Sequence, residues 1–179
     1  MGKILKPDLN EAQRFLDFLE RGGHFWFQTA LEPKPEDGNA SPRALQGTLA
    51  QVGDQLVKLN QTGSAVWAQI NAGTGRKDSD ITRIRAYFVD QDHGSTELLF
   101  NSVHPADIIV ESSPDKFHGY WMTGNAPLAQ YADRMHALAD KFEGDHNVCN
   151  LGRVMRLPGF FHHKGEPFVS RIVKVREGL

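Results

Sequence analysis

Two carboxylates, Asp90 and Asp92, stand at the end of the apolar run Tyr87-Phe88-Val89. Tyr, Phe and Val together predict a buried strand. Side chains two apart on a strand share a face, with Cα atoms about 6.5–7 Å apart, so the two acids can converge on one spot. Carboxylates aimed at one place repel each other, and a bound cation, a nearby Arg or Lys, or splaying into water relieves that repulsion. Hard oxygen donors of this kind suit Mg²⁺ or Mn²⁺. The plain alternative is a solvated Asp-Gln-Asp-His-Gly turn, since Asp and Gly are ordinary turn residues.

A second group lies further along. Ile108 to Glu111 and Phe117 to Met122 read as strands, and Ser112-Ser113-Pro114-Asp115-Lys116 between them has turn chemistry, so the stretch predicts a hairpin. Lys116, His118 and Tyr120 share a face of its return strand by the period of two. The turn presents two hydroxyls, Ser112 and Ser113, and a lysine, and Ser, Lys and His together can form a triphosphate grip, whereas His118 alone reads first as a packed or surface histidine. Asp145, after Gly144, is a candidate third metal ligand and also an ordinary turn residue. Arg76 and Lys77 follow the small-residue loop Ala72-Gly73-Thr74-Gly75, which can hold a phosphate but matches no specific phosphate-loop pattern.

Several elements must position these groups. Asp8, with Glu11 three residues on, predicts a capped helix whose stripe Leu9, Ala12, Phe15, Leu16 and Leu19 ends at Gly22-Gly23. His24 to Leu31 is an aromatic-rich strand, and Glu32 to Pro42 is an exposed loop. Leu45, Leu49, Val52, Leu56 and Leu59 predict a second amphipathic helix ending near Asn60, followed by a strand over Ser64 to Asn71. The Asp90 strand is expected to begin near Ile84. Pro127 suits the first turn of a helix running to Phe142, and Phe168 to Val175 alternates as a last, edge strand.

Composition narrows the class. With 179 residues, 40 % of them hydrophobic, the chain suits one domain spanning 1–179 with a core of its own. No run of about 18 apolar residues occurs and the N-terminus lacks a signal-peptide core, so a soluble, cytoplasmic protein is expected. Cys149 is the single cysteine, which excludes an internal disulfide and any Cys-x-x-Cys zinc motif. Any metal is therefore expected on oxygen or imidazole. The net charge of −2 is uneven: from His146 onward six basic residues (Arg153, Arg156, Lys164, Arg171, Lys174, Arg176) face two acidic ones (Glu166, Glu177), 6 − 2 = +4. That segment is either phosphate-facing or a solvated, salt-bridged surface.

Three items line up in order: Asp90-x-Asp92 at a strand end, Ser113-Pro114-Asp115-Lys116-Phe117-His118 in a hairpin, and Asp145 followed by Arg153-x-x-Arg156-Leu157-Pro158-Gly159. The ordered set, covering about Leu45 to Lys164, resembles the archaeo-eukaryotic primase superfamily, in particular the RepB-type plasmid and phage primases and primase-polymerases. Ile81-Thr82-Arg83-Ile84-Arg85, Tyr120-Trp121 and the segment Arg153 to Lys164 are also similar to that family. Where some relatives carry a further acid before the Arg-Leu-Pro-Gly segment, this chain has Asn147 and Asn150.

The resemblance implies an α+β fold, an RRM-like palm with a mixed or antiparallel sheet, helices packed on one side and the acids on the open face. It implies DNA-templated nucleotidyl transfer (primer synthesis, primer extension or both) by a two-metal mechanism, in plasmid- or phage-type replication in a bacterial or archaeal cell. Two Mg²⁺ or Mn²⁺ ions would be held by Asp90, Asp92 and Asp145. Ser113, Lys116, His118 and Arg156 would bind the nucleotide, Arg156 either directly or by bracing the site through a carboxylate. Arg76, Lys77, Arg153 and Lys164 would contact template phosphates. The implied partners are single-stranded DNA, an NTP or dNTP, and a helicase or helical-bundle domain in cis or in trans, for which the chain ends too early. Two competing classes stay open: a non-catalytic single-strand-binding module on the same fold, and a metal-dependent nicking nuclease of replication initiation. The nuclease needs paired histidines on one strand face, and the adjacent His162 and His163 would point to opposite faces.

Overall fold

Asp8 starts the first helix as the sequence predicts: its Oδ1 accepts the backbone N–H of Asn10 at 2.9 Å and of Glu11 at 3.1 Å. The computed structural model describes residues 5–124 and 126–178, so Met1–Ile4 of the N-terminal segment lie outside it. In chain order the elements are α1 (Leu9–Glu20), β1 (Phe25–Leu31), β2 (Arg43–Gly47), α2 (Leu49–Gln61), β3 (Ser64–Gln69), β4 (Ala72–Gly73), β5 (Ile81–Arg83) and β6 (Ala86–Gln91). There follow α3 (Thr96–Phe100), β7 (Ile108–Ser113), β8 (Lys116–Met122), α4 (Tyr131–Phe142), β9 (Val154–Arg156), β10 (Phe161–His162), β11 (Phe168–Val169) and β12 (Arg171–Val175). Single 3₁₀ turns lie at Asp78–Asp80, Leu128–Gln130 and His146–Val148. No helix among the described residues is long and apolar enough to cross a membrane.

The chain forms two compact units. The first, up to Gln69 and again over Val154–Arg171, holds an antiparallel sheet in the order β2-β1-β3-β9, with α2 packed on it. Ala12, Phe15, Leu16 and Leu19 of α1 and Leu49, Val52 and Leu56 of α2 are buried, the stripes that the spacing predicts. The second unit, Ile70–Arg153 with the segment from Ile172, holds a sheet in the order β12-β7-β8-β6 and the short β4–β5 ribbon. In it α4 packs on β6. Mixed helices and antiparallel sheets are the α+β class expected.

Of the boundaries that differ from the sequence reading, four have a plain local setting. Leu45 lies on β2, opposite Phe27, because α2 starts only after Thr48, whose N–H donates to Gln51 Oε1 at 2.9 Å. β6 begins at Ala86, since the Arg85 N–H leaves the ladder to donate to Asn71 Oδ1 at 3.1 Å. α4 begins at Tyr131, after the 3₁₀ turn that follows Pro127. The last strand is broken at Ser170, whose N–H donates to the Phe160 carbonyl and whose carbonyl accepts from the Gly159 N–H, leaving β12 to join β7.

Candidate active site

β6, β8 and β7 pair antiparallel, and register decides which side chains meet. Asp90 lies directly opposite His118, and their Oδ1 and Nε2 are 3.4 Å apart. Just past the end of β6, Asp92 Oδ1 lies 3.1 Å from Lys116 Nζ. The period of two therefore holds on both strands: Asp90 and Asp92 on one, His118 and Lys116 on the other, share a face. The intervening residues point the other way. Tyr87 stacks on Tyr131 of α4 at 5.6 Å, Val89 joins a core cluster with Leu99, Ile109 and Phe142, and Gln91 Nε2 donates to the Phe142 carbonyl at 2.8 Å. Within this unit the helices cover one face of the sheet and the acids occupy the opposite one.

Tyr120 continues the acid face. Its hydroxyl is 3.1 Å from His118 Nδ1 and its ring is fully buried. Burial, then the Asp90 charge, push the phenol pKa well above its usual value, so the hydroxyl stays protonated. With His118 Nε2 facing a carboxylate, Nε2 carries the imidazole proton and the Tyr120 O–H donates to Nδ1. Sequence reading placed Tyr120 on this face but gave it no role, and the period of two from His118 was the available signal.

The hairpin turn is the two-residue Pro114-Asp115, with Asp115 at φ +61°. Ser113 is buried at the end of β7 opposite Lys116, and the neighbouring Ser112 hydroxyl donates to the Lys116 carbonyl at 3.3 Å. Of the two hydroxyls, Ser112 is engaged by the turn itself.

Asp145 comes to the same strand end through its backbone: its N–H donates to the Asp90 carbonyl at 2.8 Å. The preceding Gly144 allows that approach, because a Cβ there would collide with the Val89 side chain. The Asp145 carboxylate caps the following 3₁₀ turn, with Oδ1 accepting from Asn147 N–H and Asn147 Nδ2, both at 2.8 Å. Arg153 holds this turn from behind, donating to the Asn147 carbonyl and, at 2.8 Å, to Asn150 Oδ1. Asn147 and Asn150 thus serve as braces of this turn. Among the described residues the carboxylates of Asp90, Asp92 and Asp145 are not gathered within 4.8 Å of one another.

The donor chemistry fits Mg²⁺ or Mn²⁺ all the same. Asp90 and Asp92 offer hard carboxylate oxygens on one face, and Asp145, one oxygen of which is engaged by Asn147, joins the end of the same strand through its backbone. In this structure Lys116 supplies counter-charge to Asp92, and His118 Nε2 faces Asp90.

The remaining candidates lie elsewhere. Arg156 belongs to the first unit, where its guanidinium is bidentate with Glu32 at 2.9 and 3.2 Å and lies over the Trp67 ring at 5.4 Å. Glu32 is buried and also accepts the His163 N–H at 3.0 Å. Burial alone would raise its pKa, but the Arg156 hydrogen bonds and charge, aided by His163, hold it below the usual value. Lys164 Nζ stands 4.0 Å from the same carboxylate and stays largely exposed. Burial lowers the pKa of both His162 and His163, with Arg156 adding to the effect on each. Arg76 and Lys77 are exposed in the loop before the Asp78–Asp80 turn.

One cluster was not foreseen. His136, His146 and Cys149 bring a ligand atom each to within 4.8 Å of one another. A thiol is thus available beside two imidazoles, contrary to the expectation that only oxygen and imidazole can serve.

Residues 84–176 match the family model described as the RepB DNA-primase N-terminal domain. The cyanophage S-2L primase-polymerase AEP domain superposes with a TM-score of 0.73 over 98 % of this chain and 94 % of its own, at 23 % identity. Primase RepB′ superposes with a TM-score of 0.71 over 93 % of this chain and 56 % of its own, at 17 % identity, so the chain spans little more than half of that protein. The catalytic domain of RepB′ in complex with initiator DNA gives 0.66 over 92 % of this chain and 85 % of its own, at 16 % identity. Comparison with curated protein sequences returns no significant match.

Proposed function

The chain belongs to the RepB DNA-primase N-terminal domain family, and from that premise we propose that it catalyses DNA-templated nucleotidyl transfer on single-stranded DNA, as primer synthesis, primer extension or both. The observation that carries this reading is the single sheet face on which Asp90 and Asp92 meet His118 and Lys116. A binding module has no use for two carboxylates facing nucleic-acid phosphate, whereas phosphoryl transfer needs anionic oxygens to hold cations.

Asp90 and Asp92, with Asp145, would hold Mg²⁺ or Mn²⁺. The ions would supply Lewis-acid stabilisation of the 3′-oxygen and of the leaving pyrophosphate. Lys116 swings from Asp92 to the triphosphate of the incoming NTP or dNTP, since its ammonium is the flexible donor at the hairpin end. His118 keeps Nε2–H directed at the acid face because Tyr120 occupies Nδ1. Ser113 closes the hairpin from which Lys116 projects. Arg156 acts as the brace of Glu32 in its own unit. Arg76, Lys77 and Lys164 are the exposed cations assigned to template phosphates.

Incubation with single-stranded DNA, Mg²⁺ or Mn²⁺ and labelled nucleotides, with and without a supplied primer, tests the reading. Template-dependent products that vanish in Asp90→Asn and Asp92→Asn are expected. Each variant should lose on the order of a thousandfold in rate, since an ion's transition-state stabilisation is worth several kcal/mol. DNA binding with no product under any of these conditions would favour the non-catalytic module.

A further inference from the structure

The 3₁₀ turn that begins at Asp145 carries two groups that the proposed reaction does not use, His146 and Cys149, and α4 presents His136 to them. His136 Nδ1 and His146 Nδ1 face each other at 3.0 Å, with the rings stacked at 5.2 Å and 18°. Two imidazole nitrogens bound 2.0–2.1 Å from a tetrahedral Zn²⁺ lie about 3.3 Å apart, so the pair is already close to ligand spacing. Cys149 is buried, and its sulfur lies within 4.8 Å of a ring nitrogen of each histidine. His146 Nε2 is 3.1 Å from Asp140 Oδ1. A carboxylate there accepts the Nε2–H hydrogen bond, which keeps the proton on Nε2 and leaves the Nδ1 lone pair for a metal, the arrangement that orients zinc-bound histidines. Asp140 stands four residues after His136 on the same face of α4, and both histidines are exposed, which leaves a path for an ion to enter.

We propose that His136, His146 and Cys149 bind one Zn²⁺-class divalent ion, with Asp140 fixing the His146 tautomer and the fourth position open to water. Two imidazoles and a thiolate form a softer set than the carboxylates of the active site and select Zn²⁺ over Mg²⁺. The ion ties the middle of α4 to the turn whose first residue, Asp145, is bonded to the Asp90 carbonyl. It is a positioning clip, separate from the cations of catalysis.

The test is metal analysis and Co²⁺ spectroscopy on the chain purified without chelator under reducing conditions. One equivalent of Zn²⁺ per chain is expected, and Co²⁺ should give a near-ultraviolet thiolate band with tetrahedral visible bands. Cys149→Ser should abolish the thiolate band, and Asp140→Ala should weaken Zn²⁺ binding about 10- to 100-fold. His136→Gln, on an exposed helix face, should lose the ion with the circular dichroism spectrum retained, which separates ligand loss from unfolding. Asp90→Asn should keep the full equivalent, whatever its activity. Absence of stoichiometric Zn²⁺, a Co²⁺ spectrum indifferent to Cys149→Ser and His136→Gln, or loss of the ion in Asp90→Asn would overturn the proposal.

Discussion

Each acid at the end of β6 has a proton-bearing neighbour from β8, and this pairing decides what single substitutions do. Lys116→Ala and His118→Ala should chiefly weaken nucleotide binding. A charge-assisted phosphate contact is worth about 1.5–3 kcal/mol, or about 10- to 150-fold in affinity. Isothermal titration with a non-hydrolysable nucleotide and Mg²⁺ reads this directly, and unchanged affinity in both variants would remove the hairpin from the triphosphate. The two pairs of this face were legible in the sequence because strand alternation is a strict period of two, whereas the register that sets Asp90 opposite His118 joins β6 to β8 across an intervening helix and strand and leaves no local trace. Asp145 was legible only as an acid after a glycine. That Asn147 captures one of its oxygens depends on a local 3₁₀ turn, which leaves no periodic trace. His136, His146 and Cys149 escaped for a related reason: a helix face and a one-turn segment supply them, at spacings that match no single element.

At the scale of elements, the turn after α4 docks on the end of β6, and Gly144 is the point of contact. Gly144→Ala places a methyl group against Val89 and displaces the Asp145 N–H from the Asp90 carbonyl, at an overpacking cost of about 1–3 kcal/mol. Thermal denaturation should show that loss, and nucleotidyl transfer should fall further than stability alone accounts for. An active, equally stable variant would separate Asp145 from the site. In the other unit, Arg156 of β9 grips Glu32 just beyond β1, and both side chains are nearly buried. Removing one partner of such a pair costs about 3–5 kcal/mol, so Arg156→Met should be strongly destabilising. Glu32 has a folded pKa below its ordinary 4.5, so its contribution is present above about pH 4.5 and is lost as pH falls through the lower folded value. The lowered pKa values of His162 and His163 act in the same sense, with stability lost as pH falls below about 6.5. A melting profile against pH should fall in both windows, and Glu32→Gln should flatten the more acidic one. β9 and β10 were not legible as strands because three and two residues are too few to show a period. Leu45 stands at a helical spacing from Leu49 by coincidence, while the Thr48–Gln51 capping contact, not the spacing, fixes where α2 begins.

For the molecule as a whole, the net charge of −2 and the +4 of the segment after His146 pull in opposite directions, and the side-chain contacts decide between them. Arg153 is bound to Asn147 and Asn150, Arg156 to Glu32, Lys174 to the Phe100 carbonyl at 2.7 Å and Arg176 to Asp107 at 2.7 Å. Arg171 lies over the Phe168 ring. Most of the basic excess is thus committed to the protein itself, which is the salt-bridged alternative of the sequence reading. The exposed cations assigned to template are Arg76, Lys77 and Lys164. Each phosphate neutralised on a single strand contributes about −0.7 to the slope of log affinity against log salt, so three contacts give a slope of about −2. If all six cations after His146 joined Arg76 and Lys77 on the template, the slope would be about −6 by the same rule. Fluorescence anisotropy with a labelled single strand, titrated across salt, distinguishes the two. A shallow slope means that charge attracts the template only weakly, so its register over Asp90 and Asp92 must be set by contacts that salt does not screen. A steep one would mean that the Arg156, Lys174 and Arg176 contacts open on binding, and the cost of breaking the buried Glu32 pair would then be charged against affinity.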